Sequence, residues 1–254
     1  MRDLLLLAAA GALVWTSRPS LPMHLDDPVA TSIAHPERWE SDHARDADRR
    51  PQRILDFLDV KRGMRVADLM AGDGYYTELL SRAVGETGQV FCQNTAIPLR
   101  VFADKPLTAR LDGDRLPNVV RLDREFEACA DPGGLPQDLD AALLVRFYHD
   151  FGWQEVDRPA FNRLVFDRLR PGGAFVVVDH HAKPGAAITE GKRLHRVEAE
   201  WLKREVTAAG FVFEAESYVL TDEADTLDWN IFDPEREVVS RPSRFVYLFR
   251  KPAK

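Results

Sequence analysis

The sequence has little cysteine: two residues in 254, Cys92 and Cys129. No Cys-x-x-Cys pair exists, which excludes a zinc ribbon and a thioredoxin-type redox site. A disulfide framework is excluded as well. Two unpaired, partly buried thiols are expected, with a single bridge as the alternative. An excess of positive charge is also missing. Lys and Arg number 34 against 41 Asp and Glu, for a formal net charge of −7. A broad nucleic-acid surface needs a basic field, so no nucleic-acid partner is expected. Basic pairs such as Lys203–Arg204 read as a solvated helix face.

Long apolar runs are lacking too. Residues 4–15 are an unbroken series of Leu, Ala, Gly, Val and Trp. As a helix this run would rise about 18 Å, short of the roughly 30 Å hydrocarbon core. It suits the apolar region of a signal peptide better than a membrane span. Its flanks are irregular, with Asp3 cancelling Arg2 and no Ala-x-Ala site following. Residues 1–22 are therefore expected to be an export leader, placing the mature chain in the periplasm or outside. No stable membrane span is expected after its removal. The alternative is a leader on a cytosolic protein.

What is present fits one domain. Hydrophobic residues make up 45% of the chain, enough for a core. Residues 23–254 are expected to form a single unit, with a helical cap over 23–62 and an α/β core over 63–254. Residues 33–50 are polar and read as one helix or two short ones. Arg50-Pro51 is a break. Ile54, Leu55, Phe57 and Leu58 recur at helical spacing, and Gly63 ends that helix.

Strands and helices then alternate. Strands are expected over 65–70, 89–93, 118–122, 140–147, 174–179, 211–220 and 244–250. Helices are expected over 75–84, 158–169 and 194–209. Continuous apolar strands separated by helices indicate a parallel sheet covered on both faces. The last two strands have only a loop between them and should pair antiparallel. This is the Rossmann-like, mostly parallel seven-stranded layout of class I methyltransferases, closed by a C-terminal antiparallel hairpin.

The sharpest local signal runs from Val66 to Glu78: a strand, then Gly72-Asp73-Gly74, then directly a helix. Glycines let the backbone turn tightly and approach a ligand. A dinucleotide fingerprint needs a third glycine where this chain has Thr77, which disfavours NAD and FAD. Asp68 at the strand end followed by Gly-x-Gly fits S-adenosylmethionine better. The amino group of that cofactor is positive and seeks a carboxylate.

The chain resembles a family of predicted, exported bacterial class I S-adenosylmethionine-dependent methyltransferases. The resemblance is carried by His35-Pro-Glu-Arg38, Arg45-Asp46, Arg50-Pro51, Val60-Lys-Arg-Gly-Met64 and Gly72-Asp-Gly-Tyr-Tyr-Thr-Glu78. It continues through Arg146-Phe-Tyr-His149, Leu169-Arg-Pro-Gly-Gly173, Asp179-His-His-Ala182 and Ser243-Arg-Phe245. It implies S-adenosylmethionine as cofactor and a small-molecule methyl acceptor that the sequence does not name. It implies cofactor contacts from Asp68, Gly72, Gly74, Tyr75, Gln93, Asn94, Asp123 and Arg146. Asp123 matches the family position that meets the adenine amino group. Met70 stands where the general loop has glycine. Gln93 and Asn94 stand where the general fold has an acid for the ribose diol.

Ligands of open α/β sheets sit beyond the carboxyl ends of the strands. His149 and His180 follow the fourth and fifth strands and are the candidate general bases. Side chains alternate along a strand, so at most one of His180 and His181 should face the cleft. No ligand spacing links His149, Asp150, Asp179 and His180, so no metal is expected. Residues 221–243 are expected to form a lid or acceptor wall, or else a plain surface loop. Two functions stay open: a methyltransferase, or a non-catalytic binding protein that keeps the fold.

Overall fold

The computed structural model describes residues 13–14, 27–237 and 241–253. The leader expected over 1–22 lies outside them, apart from Leu13–Val14. Seven strands form one sheet: β1 Arg65–Leu69, β2 Gln89–Asn94, β3 Val119–Asp123, β4 Leu139–Val145, β5 Leu169–His180, β6 Val212–Ser217 and β7 Arg244–Arg250. Their order is β3-β2-β1-β4-β5-β7-β6. β1 to β5 pair in parallel. β7 slots between β5 and β6 and runs antiparallel to both. The expected hairpin is therefore present, and its second strand is a central one. Leu13–Val14 adds a short parallel ladder at the β6 edge, against Ala215 and Glu216.

The helices of six residues or more are α1 Pro28–Ile33, α2 Glu40–Arg49, α3 Pro51–Phe57, α4 Tyr75–Val84, α5 Asp104–Arg110, α6 Arg158–Arg168 and α7 Ala199–Ala208. Asp27 caps α1, its carboxylate accepting from the N–H groups of Val29 and Ala30, with Pro28 in the first turn. Arg50 is left-handed at φ 45° and divides α2 from α3, because Pro51 disfavours a helical residue before it. Among the described residues no helix is long and apolar enough to cross a membrane.

Both faces of the sheet are covered, as the continuous apolar strands require. On one face Val66, Val90, Leu143 and Val176 pack against Ile54 and Leu55 of α3 and Leu79 and Leu80 of α4. On the other, Leu69, Phe91, Leu144, Phe175 and Phe249 meet Phe161 and Val165 of α6 and Leu202 and Val206 of α7. Each such fully buried side chain contributes about 1.5–3 kcal/mol by leaving water. These layers hold the strand ends rigid, and the chain reverses its strand order between β1 and β4. That reversal opens a crevice at their carboxyl ends.

Two segments differ from the sequence expectation. The sequence pattern predicts no element over residues 96–110. They form a helical stretch with a π-turn at Leu99–Ala103 running into α5. Pro98 and Pro106 mask the helical pattern in the sequence. The single helix expected over 194–209 is instead a turn at Gly191–Leu194, a break at His195 (φ 55°), and α7.

Candidate active site

A cavity of about 620 Å³ occupies the crevice. Its floor is the turn that follows β1. Gly72 has φ 59° and lines the cavity, and a Cβ there would face Phe102 at 3.5 Å. Met70 also sits in the left-handed region, at φ 51°. The chain thus keeps the glycine-type turn with a buried methionine, at a cost of about 1–2 kcal/mol. Asp68 lines the cavity from the end of β1 and accepts from the Thr77 hydroxyl at 2.6 Å. Burial pushes its carboxyl pKa up to about 7, against the lowering effect of the Thr77 bond.

One side of the cavity comes from the helical cap. Arg45 and Arg49 of α2 line it, as does Tyr76. Arg45 pairs with Asp73 at 2.8 Å, which ties α2 to the glycine turn. Another wall comes from the end of β4 and the segment after it, residues 145–150. Arg146 follows β4 in the left-handed region, at φ 60°, and its Nε donates to His180 Nε2 at 3.1 Å. Burial first, then the neighbouring Arg49 and Arg244, lower its guanidinium pKa to about 10. Arg49 and Arg146 bring two neighbouring guanidinium groups to the cavity, beside the carboxylates of Asp68 and Asp73.

His149 is buried and faces the cavity from a short 3-10 turn, Tyr148–Gly152. Its Nδ1 lies 2.6 Å from Asp179 Oδ1, and its backbone N–H donates to Asp179 Oδ2 at 2.9 Å. Asp179 also accepts from the His180 backbone N–H. Burial would lower the His149 pKa, but the charge and hydrogen bond of Asp179 outweigh it and raise the pKa. The mouth of the cavity is apolar. Val101, Phe102, Trp153 and Phe232 are large hydrophobic side chains that stay partly or wholly exposed there. Phe232 and Ile231 belong to the 221–243 segment expected to be a lid or wall, and they do line the cavity.

The sequence-predicted residues divide into two sets. Asp68, Gly72, Arg146 and His149 meet at the cavity. The others are directed elsewhere. Gly74 (φ 81°) packs against α5, where a Cβ would stand 2.8 Å from Leu107 and 2.9 Å from Arg110. Tyr75 is buried and donates its hydroxyl to Asp46 at 2.5 Å, while its neighbour Tyr76 reaches the cavity. Gln93 and Asn94, expected at the ribose, are consumed by the backbone. Gln93 bridges Met70 N–H and the Arg124 carbonyl, and Asn94 both accepts from and donates to Gly72. These amides hold the loop in shape. Asp123 is paired with Arg121 at 2.9 Å, away from the cavity lining.

His180 is buried behind Arg146, and burial with the Arg146 and Arg244 charges pushes its pKa well down. It is a neutral acceptor supporting Arg146. Sequence reasoning missed Arg45, Arg49, His195 and the 96–110 wall. Ile97 and Val101, one helical turn apart, were the available signal for that wall. Both cysteines are free and buried, as expected.

No protein-family model matches the chain. A protein-L-isoaspartate O-methyltransferase of Methanosarcina mazei is 27% identical over 124 residues, covering 49% of this chain and 44% of that protein. The chain thus matches less than half the length of that relative. A S-adenosylmethionine-dependent methyltransferase structure from Aquifex aeolicus superposes with a TM-score of 0.56 at 16% identity, covering 89% of this chain and 95% of that one. A structure described as a sarcosine dimethylglycine methyltransferase, from Galdieria sulphuraria, gives 0.57 at 14% identity, with 90% and 98% covered. The cyclase SpnF gives 0.60 at 18% identity, with 89% and 93% covered. The fold is that of class I methyltransferases. SpnF, described as a cyclase, shares it, so fold does not by itself fix the reaction.

Proposed function

We propose that this chain is a S-adenosylmethionine-dependent methyltransferase acting on a small-molecule acceptor. One observation carries the reading: Asp68 and Gly72 of the glycine turn face the same cavity as His149, which Asp179 holds. The residues present fit the amino-acid end of the cofactor. Asp68 offers a carboxylate to an ammonium, and Arg49 and Arg146 offer guanidinium groups to a carboxylate. Ile97, Val101 and Phe102 offer an apolar surface for a nucleobase. When bound, S-adenosylmethionine supplies an electrophilic methyl group on a sulfonium. The protein's part is alignment and proton removal. His149 is placed for the second task. Its Nδ1 is held by Asp179, so Nε2, which lies 3.2 Å from Asp150 Oδ1, is the group that receives the acceptor's proton. The rest of the apolar mouth, Trp153 and Phe232, suits an acceptor with an aromatic or aliphatic body.

A second reading, a binding protein that retains the fold, is favoured by one feature. Gln93 and Asn94 face the loop backbone and leave no carboxylate at the usual ribose position. Calorimetric titration with S-adenosylmethionine, its demethylated product and NAD tests both. Binding of the sulfur compounds and not NAD is expected, followed by turnover in an acceptor screen. No binding at millimolar concentration by a folded chain overturns the cofactor assignment. Tight binding with no acceptor methylated favours the second reading. Residues 4–15 support export, and a fusion of residues 1–40 to a reporter active only outside the cytosol is expected to be active. A silent, intact fusion overturns export.

A further inference from the structure

His149 stands between two carboxylates. Asp179 Oδ1 lies 2.6 Å from Nδ1, and Asp150 Oδ1 lies 3.2 Å from Nε2. A neutral imidazole carries one ring N–H. The shorter contact, with the second Asp179 bond to the His149 backbone N–H, assigns that proton to Nδ1. Nε2 then presents a lone pair to a carboxylate oxygen. Either a second ring proton or a metal ion between the two groups makes that contact favourable. His195 completes the arrangement. Its Nδ1 lies 3.2 Å from the same Asp150 oxygen, and its ring centroid is 5.4 Å from that of His149. One ligand atom from each of His149, Asp150 and His195 falls within 4.8 Å of the others. An ion with bonds of about 2.1 Å to nitrogen and oxygen spans such a set.

The surrounding fold holds these three residues together. Gly191 lies against the His149 carbonyl oxygen, where any Cβ would collide with it, so only glycine lets the two turns approach. His195 caps the Gly191–Leu194 turn in a left-handed conformation, and Phe232 packs edge-on against its ring at 4.9 Å. Trp153 Nε1 donates to Asp150 Oδ1 at 2.8 Å and fixes that carboxylate. Asp179 supplies the partner that metal-bound histidines characteristically have on their other nitrogen. All three candidate ligands line the cavity.

We propose that His149, Asp150 and His195 bind one divalent first-row transition metal at the acceptor end of this cavity. Two imidazoles and a carboxylate favour zinc, cobalt or nickel over magnesium. Three protein ligands leave a position open toward the cavity. On the methyltransferase reading, that position would hold the acceptor's oxygen or sulfur and make its proton easier to lose to water at the cavity mouth; in the metal-bound chain Nε2 of His149 is a ligand and the proton-accepting role falls to that water. The metal site itself does not depend on that reading.

The test uses the full chain without a histidine tag, stripped with chelator and titrated with Zn²⁺, Co²⁺ and Mg²⁺. One equivalent of Zn²⁺ or Co²⁺ is expected to bind, with a cobalt absorption band in the visible and no comparable Mg²⁺ affinity. His195→Ala, at a partly exposed position, should abolish the band and retain binding of the demethylated cofactor product. Asp179→Asn should weaken Zn²⁺ roughly 10- to 100-fold without removing the site. Failure of Zn²⁺ and Co²⁺ to bind the folded wild-type chain overturns the proposal. Equal affinity in wild type, His195→Ala and Asp150→Asn also overturns it. Neither result bears on cofactor binding, which is measured separately.

Discussion

Arg110 of α5 and Asp42 of α2 are fully buried partners, joined by a 2.6 Å bond from the guanidinium to Asp42 Oδ2. The same guanidinium reaches Glu78 of α4 at 2.6 Å, and its Nε donates to the Asp73 carbonyl at 2.7 Å. One side chain therefore clamps the helical cap, the glycine turn and α4. Burial would raise the Asp42 pKa, but the bonds from Arg110 and Arg45 outweigh it and lower the pKa. Arg110→Met keeps the bulk and removes the buried charge between Asp42 and Glu78, leaving Asp42 with Arg45 and Glu78 with Arg82 and Arg115. We expect a stability loss of about 3–5 kcal/mol in urea unfolding. A change within the ±0.5 kcal/mol typical of surface positions would show that the clamp contributes little.

The loop glycines should separate by role. Gly72→Val puts a branched side chain into the cavity at a left-handed position, near Phe102. It should abolish binding of S-adenosylmethionine at a stability cost of about 1–2 kcal/mol. Gly74→Ala drives a methyl group into Leu107 and Arg110. It should destabilise the chain by about 1–3 kcal/mol and affect binding only indirectly. Thermal melts with and without ligand distinguish the two. Ligand-induced stabilisation retained in Gly72→Val would place the cofactor elsewhere.

His149 and His180 should also part company. His149→Ala removes the cavity-facing imidazole, so turnover should fall roughly a hundredfold or more while cofactor binding persists. His180→Ala instead removes the acceptor for Arg146 Nε, behind the cavity wall. It should loosen Arg146 and weaken cofactor affinity and turnover together. Equal affinity and turnover losses in both variants would mean that His149 is supporting the wall and not meeting the acceptor.

Much of this arrangement was legible in the sequence, for local reasons. The strand, glycine turn and helix from Val66 to Val84 are fixed by neighbours in the chain, and the pattern states them directly. The antiparallel ending followed from the missing crossover helix before β7. What failed needed distant partners. Gln93 and Asn94 sit at the expected strand end, but their amides close on Met70 and Gly72, more than twenty positions earlier. Tyr75 and Tyr76 are indistinguishable by type, and only the helix start decides that Tyr76 reaches the cavity. His195 meets Asp150 across 45 residues, a separation without a spacing signal.

The buried Asp68 makes a prediction about protons. Its pKa of about 7 exceeds the ordinary carboxyl value of 3.8, and burial is the main cause. The folded chain therefore holds a proton there that the unfolded chain releases between about pH 4 and 7. This group's stabilising contribution is full below pH 4 and is lost as pH rises through 7. Cofactor binding has the opposite sign. An ammonium group recruits the ionised carboxylate, so binding below pH 7 must expel the proton. Affinity for S-adenosylmethionine should rise with pH between about 5 and 7, approaching tenfold per pH unit at the lower end, and level off above 7. Calorimetry in buffers of different ionisation enthalpy should register close to one proton released per ligand at pH 5.5 and few at pH 8. Asp68→Asn should flatten this dependence and weaken binding by a few kcal/mol at most, as expected for one charge-assisted hydrogen bond. The same pH slope persisting in Asp68→Asn would assign the titration to another group and remove Asp68 as the partner of the cofactor's ammonium.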